Sequence, residues 1–343
     1  MTRRRRHDRG IEMEETKKTQ ILKLLRDGTY VSGQELCERF GVSRTAVWKV
    51  INQLKEEGYE IEAVPNRGYC LKGAPDVISA EEITSRLTTV WAGRTVYSYG
   101  ETGSTNIDAK RLAEEGAPHG TLVVAETQTM GRGRRGKGWE SEDSGQAIYM
   151  TLLLKPQFSP EYASRLTLLM ALAVTAAVEE VCEDQTVQIK WPNDIVLNGH
   201  KVCGILTEMS AEPGYIHHVV IGAGINVNQK TFPKEVGEIA TSVLRETGRT
   251  NARAQIIARV MCFFEHYYEQ FLQTYDLSAL RGQYEAHLAG MGQEVRVLDP
   301  KGEYVCVSKG ITKNGELIVE KADGTRLEVY AGEVSVRGLY GYV

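Results

Sequence analysis

The chain has 343 residues, enough for two or three domains that each bury a core. Hydrophobic residues make up 42% and charged residues 25%, and the formal net charge is −4, so the composition is globular and no whole-molecule positive field draws in nucleic acid. Cys37, Cys70, Cys182, Cys203, Cys262 and Cys306 form no C-x-x-C pair, which argues against a zinc site or a disulfide framework and for thiols in a reducing cytosol; no apolar run of membrane-spanning length stands out.

The opening "MTRRRRHDRG" has the basic residues of a signal peptide without the apolar stretch that should follow. Residues 1–15 are read as a basic disordered tail, with a nucleic-acid arm as the alternative.

Residues 16–75 form the first domain. "TQILKLLRD" puts Ile21, Leu24 and Leu25 on one helical face and stops at Gly28. "SGQELCERFG" has Ser32 as cap and Leu36 and Phe40 four apart; after Gly41, "SRTAVWKVINQLKEEG" has Ser43 as cap and Val47, Val50, Ile51 and Leu54 as core. Two short helices joined around a glycine make a helix-turn-helix pattern, and "YEIEAVPNRGYCLKG" adds a hairpin turning at Pro65–Gly68. The whole predicts a winged helix-turn-helix; a plain three-helix packing module with a hairpin is the other reading. On the first, Ser43, Arg44, Thr45, Trp48 and Lys49 stand at the start of the helix that enters the major groove, and Arg67 in the wing reaches a phosphate or the minor groove. Such modules bind DNA as dimers, so a homodimer is expected.

"KGAPDVISAEE" reads as a linker. Residues 83–285 mix helix and strand. "GTLVVAETQ" and "QAIYMTLLLK" are strands; the stretches around 161–182 and 252–275 are long helices. "VQIKWPNDIVLNGHKVCGILTEM" predicts two strands joined at Asn198-Gly199, and "YIHHVVIGAGINVN" a buried strand. His217 and His218 are adjacent, point to opposite faces of that strand and are read as structural. Residues 290–343 hold short strands punctuated by Asn314-Gly315 and Asp323-Gly324, a small separate β-barrel.

Between the two central strands lies "GRGRRGKGW", residues 131–139. It has the G-x-G-x-x-G of a dinucleotide fingerprint and all but the last residue of a P-loop. Both mechanisms need a helix directly after the glycines, and here a strand follows. What remains is a glycine-rich loop whose arginines can hold carboxylate or phosphate oxygens, or a merely solvated basic loop.

Four motifs together decide this. "GSTN" at 103–106, "ETQT" leading into "GRGRRGKGW", "KWPNDI" at 190–195 and "GINVN" at 224–228 resemble the bacterial biotin–protein ligases, and the winged helix-turn-helix is similar to the branch that also represses the biotin operon. The resemblance spans essentially the whole chain after the tail. It implies an α+β multidomain protein with a biotin/lipoate-ligase-like central domain and an SH3-like C-terminal barrel. It implies a cytoplasmic enzyme that makes biotinyl-5′-adenylate from biotin and ATP, with Mg²⁺ accompanying the ATP, and passes biotin to a lysine of a biotin carboxyl carrier protein. It further implies that the adenylate is corepressor for binding to operator DNA.

Carried onto this sequence, the resemblance places Ser104, Thr105, Asn106 and Gln128 on the biotin side, and Arg132, Gly133 and Arg134 over the acyl phosphate. Arg135, Trp139, Asn193 and Asn226 fall near the adenylate, and Asp194 is a potential support for Mg²⁺. Lys190 takes the central electrostatic role, with Arg132 and Arg134. A ligase whose N-terminal domain only assists catalysis, a repressor without catalysis and a lipoate ligase are the rival readings. The arginine-rich loop with "KWPND" favours biotin over lipoate.

Overall fold

The computed structural model describes residues 16–133, 145–299, 302–331, 335–338 and 342–343. Two compact units divide at Pro75 and Asp76.

The first unit holds α1 (Lys17–Leu25), α2 (Gly33–Phe40), α3 (Arg44–Glu56) and the hairpin β1 (Glu60–Val64)–β2 (Gly68–Gly73). The side chains of Ser32 and Ser43 cap α2 and α3 by accepting from Glu35 N and Ala46 N, and Gly41 ends α2 in the left-handed region at φ 63°. The core is Ile21, Leu22, Leu25, Leu36, Val47, Ile51 and Leu54 closed by Tyr59 and Ile61. Leu24 and Val50, both expected in it, are only partly buried; Leu22 takes the deep position on α1. At the wing, Gly68 has φ 107°, and a Cβ there would lie 2.0 Å from Val31 O. Only glycine allows the backbone pairing of Val31 with Tyr69 that ties the hairpin to the helices.

The second unit is built on a seven-stranded mixed sheet. In chain order its elements are α4 (Ala80–Thr84), β3 (Val96–Thr102), α5 (Thr105–Glu114), β4 (Leu122–Gln128), β5 (Ala147–Leu154), α6 (Arg165–Glu179), β6 (Val187–Lys190), β7 (Asp194–Leu197), β8 (His200–Glu212), β9 (Tyr215–Asn226), α7 (Lys234–Gly237), α8 (Val243–Thr247), α9 (Arg253–Thr274) and α10 (Arg281–Ala286). The strand order is β3-β4-β5-β9-β8-β7-β6, with β3–β4 parallel across the α5 crossover and the rest antiparallel.

Both faces of the central strands are covered, so β5 is buried throughout rather than on alternate residues. Leu153, Val123 and Val220 point to α5, where Ala109 and Leu112 meet them. Leu152, Leu154, Val124 and Ile221 point the other way, into the large core with α6 and α9. The stretch Pro160–Glu179 does have the length and mean hydropathy (1.3) of a membrane span, contrary to the sequence reading; 72% of its most apolar window is buried in this core.

The region expected to form two strands around Asn198-Gly199 forms three. The chain turns at Trp191–Asn193, with a cis Trp191-Pro192 bond, before the predicted hairpin at Asn198 (φ 50°) and Gly199 (φ 81°). The last region is a five-stranded antiparallel sheet of β10 (Glu294–Leu298), β11 (Tyr304–Ile311), β12 (Leu317–Glu320), β13 (Arg326–Val329) and β14 (Ser335–Gly338), ordered β13-β12-β11-β10-β14. "TRLEVYAGEVSVRG" thus supplies two strands. The sheet is not separate: Val297, Ile311, Leu317 and Val319 join the core of α6 and α9, and Trp191 Nε1 donates to Gly315 O at 3.0 Å.

The linker is held down at its start. Arg253, 1% exposed, donates from its backbone N and Nε to Asp76 (2.9 and 3.0 Å), and from its guanidinium to Glu126 (2.6 Å) and Ala147 O (3.1 Å). Burial works against the charge, but these carboxylates outweigh it and raise the guanidinium pKa. Arg253→Met should cost about 3 kcal/mol, the low end for breaking a buried pair, because Asp76 and Glu126 keep some access to water; urea denaturation measures it, and a loss under about 1 kcal/mol would contradict the anchoring.

Candidate active site

A cleft of about 510 Å³, partly open to solvent, lies between α5, the end of β4 and the β5, β8 and β9 strands. Its floor is backbone: Gly204 pairs with Gly224, and Leu206 with Gly222. A Cβ on Gly222 would lie 2.2 Å from Asn106 Oδ1, so the glycine lets α5 settle onto the sheet. The sequence shows "GAG" only as part of a buried strand; its place in the floor, with Gly204, comes from the strand pairing.

At the buried end stand Ser104, Thr105 and Asn106, each no more than 5% exposed. Ser104 occupies the N-cap position of α5 but its hydroxyl does not cap. Gln128, reaching from β4, does so: its Oε1 accepts from Thr105 N (2.8 Å) and Thr105 Oγ1 (3.1 Å). Ser104 Oγ therefore stays available to the cleft, and Gln128 Nε2 remains as a donor. Asn106 is spent on the framework. It donates to Glu208 Oε2 at 2.8 Å and to Leu206 O, and accepts from Thr151 Oγ1 at 2.6 Å. Behind it, burial would raise the Glu208 carboxyl pKa, but hydrogen bonds from Lys110 and Asn106 and the charges of Lys110 and Arg132 bring it below its ordinary value.

Cations line the cleft as well. Arg132, exposed, and Gly133 line the cleft where the glycine–arginine segment begins. Arg134, Arg135 and Trp139 lie outside the described residues. The lysine among the cleft-lining residues is Lys201 on β8, not Lys190. Lys190 is 9% exposed and its ammonium sits 3.1 Å from the centroid of the Tyr342 ring. Lys201 had drawn no attention in the sequence. Its Nζ is 2.8 Å from Asp194 Oδ1, and Asn193 Nδ2 reaches that same oxygen (3.2 Å) and Ile205 O (3.0 Å).

Two further expectations change. Asn226 does not line the cleft: its amide donates to Thr241 O (3.0 Å) and accepts from Gln229 (3.1 Å), holding the chain after β9. Asp194 is engaged by Lys201 and by the Tyr342 hydroxyl, 2.5 Å from Oδ2, so its donor set does not suit a cation. Among the described residues no group of three or more His, Cys, Asp or Glu could hold a metal.

In the first unit, Thr45, Trp48 and Lys49 are exposed on α3, Trp48 at 57%. Ser43 is occupied in capping, and Arg44 donates to Gln34 at 3.0 Å. Arg67 lies over the Tyr30 ring, 4.1 Å from its centroid.

The mixed sheet of the second unit and its covering helices have the fold of a biotin protein ligase. Residues 100–226 match the biotin/lipoate A/B protein ligase family, 17–70 an HTH domain and 290–337 the biotin protein ligase C-terminal domain. The biotin protein ligase of Aquifex aeolicus, solved in complex with biotin and ATP, superposes with a TM-score of 0.62 at 30% identity over 71% of this chain and 99% of that one. The bifunctional ligase/repressor BirA of Bacillus subtilis is 39% identical over 90% of this chain and 94% of its own, and that of Escherichia coli 30% over 92% and 96%. The chain belongs to the biotin protein ligase family, and these two relatives align with it across the N-terminal helix-turn-helix as well as the catalytic unit.

Gly222→Ala should force Asn106 off the sheet, narrowing the cleft at a cost of about 1–3 kcal/mol. Biotin affinity measured by calorimetry should fall because the cleft narrows, by an amount the folding cost does not set; unchanged affinity would contradict this floor.

Proposed function

We propose that the protein is a biotin–protein ligase that also represses biotin genes. The carrying observation is the lining of the cleft: the neutral groups Ser104, Thr105 and Gln128 together with the cations Arg132 and Lys201, in a chain 39% identical to a bifunctional ligase/repressor. Biotin has an uncharged ureido ring and a carboxylate tail. Ser104 Oγ, Thr105 and Gln128 Nε2 suit the ring, leaving the carboxylate among the cations.

The carboxylate then attacks the α-phosphorus of ATP. The acyl–phosphate bond forms, the bond to the leaving pyrophosphate breaks, and Mg²⁺ enters with the nucleotide as part of the substrate. Lys201 stabilises the negative charge shared between carboxyl and phosphoryl oxygens, a role assigned in the sequence to Lys190. Arg132 holds the phosphate side, and we extend this to Arg134 and Arg135, with Trp139 against the adenine. In the second step a carrier-protein lysine attacks the acyl carbon as the neutral amine, and AMP leaves.

In the DNA-binding unit we assign Thr45, Trp48 and Lys49 to the major groove, Arg44 to its edge and Arg67 to a phosphate. Repression requires the adenylate-bound chain to dimerise on operator half-sites. A cytoplasmic location accords with six free cysteines, of which burial pushes the Cys182 thiol up to about 11 and raises Cys203 and Cys306 as well.

Mixing the chain with biotin, Mg-ATP and an apo carrier domain should release pyrophosphate and label the carrier. Without biotin-dependent release the ligase reading fails. Lys201→Ala should slow adenylation by about 100-fold or more with biotin affinity much less affected; equal losses would assign it to ground-state binding. In gel shifts on biotin-gene promoters, biotinyl-adenylate should strengthen binding, and Lys49→Ala should weaken it on all sites alike with a salt slope lower by about 1. Binding indifferent to the adenylate would leave an enzyme with an accessory N-terminal unit.

A further inference from the structure

The Lys201 cation does not stand alone. Its carboxylate partner, Asp194, has two oxygens with different tasks. Oδ1 faces Lys201 (2.8 Å) and Asn193 Nδ2 (3.2 Å). Oδ2 accepts from the phenol of Tyr342 at 2.5 Å. Tyr342 comes from beyond β14, 148 residues away in sequence, and its neighbour Val343 lies near the β7–β8 turn, where a Cβ on Gly199 would come 3.7 Å from it.

The same ring carries a second charge. Lys190 and Asp194 are cross-strand partners on β6 and β7. Directly opposed unlike charges on adjacent strands attract each other. Lys190 is nonetheless turned onto the Tyr342 ring, its Nζ 3.1 Å from the centroid, where the negative face of the π-system meets a largely desolvated ammonium. One side chain therefore keeps two lysines apart in function. The ring occupies Lys190, and the hydroxyl fixes Asp194 with its other oxygen toward Lys201.

We propose that Tyr342 is a positioning residue for adenylation: by holding Lys190 on its ring and Asp194 on its hydroxyl, it keeps Asp194 from turning to Lys190 and aims Lys201 into the cleft. The inference rests on the ligase reading above. Tyr342 is not among the residues that line the cleft, and it acts through Asp194. Since the phenol is anchored to the C-terminal region, that region contributes to the chemical step through a hydrogen bond to the carboxylate behind the cation.

The two halves of the side chain can be separated. Tyr342→Phe keeps the ring and removes the hydroxyl; Tyr342→Leu removes both. In the full-length chain, pyrophosphate release is measured at saturating and limiting biotin, with biotin affinity by calorimetry. Tyr342→Phe should lower kcat about tenfold, the low end for loss of an orienting partner, with biotin affinity within about twofold. Tyr342→Leu should lower kcat further. The double variant Tyr342→Phe/Asp194→Asn distinguishes positioning from folding: once Asp194→Asn is present, removing the hydroxyl should change kcat by less than about twofold, since both changes break one chain of contacts. A Tyr342→Phe kcat within about twofold of the parent, an undiminished loss of about tenfold in the Asp194→Asn background, or a parallel loss of biotin affinity each overturns the inference. A parent chain that releases no pyrophosphate overturns the ligase reading first, and the inference with it.

Discussion

Mutual repulsion of a carboxylate and a polyphosphate is the constraint that the proposed reaction sets for the cleft. Two unit charges of the same sign 4 Å apart repel by about 4 kcal/mol at an effective dielectric of 20. Free lysine and arginine side chains would reorient in response, and that reorganisation would cost part of what they contribute. Fixed cations avoid it. Lys201 is on a strand paired on both sides, its ammonium is held by Asp194, and Asp194 is itself held on its outer oxygen. The charge lining the cleft is thus held in place by the fold itself.

The neutral end obeys a different rule. A helix start leaves backbone N–H groups that need partners, and the usual partner is the side chain at the cap position. Here Ser104 holds that position without capping, and Gln128 supplies the acceptor from a neighbouring strand. Asn106 is likewise committed, to Glu208, Leu206 and Thr151. Two of the four polar groups that the resemblance assigns to biotin thus build the pocket as well as line it. Their loss would be felt in shape before it was felt in a missing hydrogen bond.

Much of the first unit was legible in the sequence because its signals are local. Ser32, Gly41 and Ser43 mark helix ends three to four residues from the groups they satisfy, and caps and turns follow from such spacing. The lysine to which we assign the electrostatic role was not legible in the same way. Lys190 stands in the conspicuous "KWPND", whereas Lys201 stands in an ordinary hairpin arm. What separates them is register: β7 pairs with β8 so that Asp194 lies opposite Gly204, with an irregularity at Ile195–Val196 that brings Lys201 toward it. An extra residue in a ladder shifts which side chains share a face, and no composition or periodicity records it. The C-terminal strands were legible as strands, but their merger with the α6–α9 core was not, since each apolar residue looks the same whichever neighbour buries it.

The meeting of the first two recognition motifs has a simple cause in another ladder of the same sheet. β3 and β4 run parallel in register from Val96 with Leu122 to Thr102 with Gln128. The pairing continues past the strands: Thr129 N donates to Thr102 O at 2.9 Å, and Met130 N to Gly103 O at 2.8 Å. Two residues later the chain reaches Arg132, while on the β3 side it has turned into Ser104 and α5. A parallel pair delivers both of its C-terminal ends to the same edge of the sheet, and ligands collect at such edges in α/β folds. "GSTN" and "GRG" therefore need no contact of their own to form one site. The backbone ladder that ends in them sets their separation, and Gln128, one residue from its end, ties the two together.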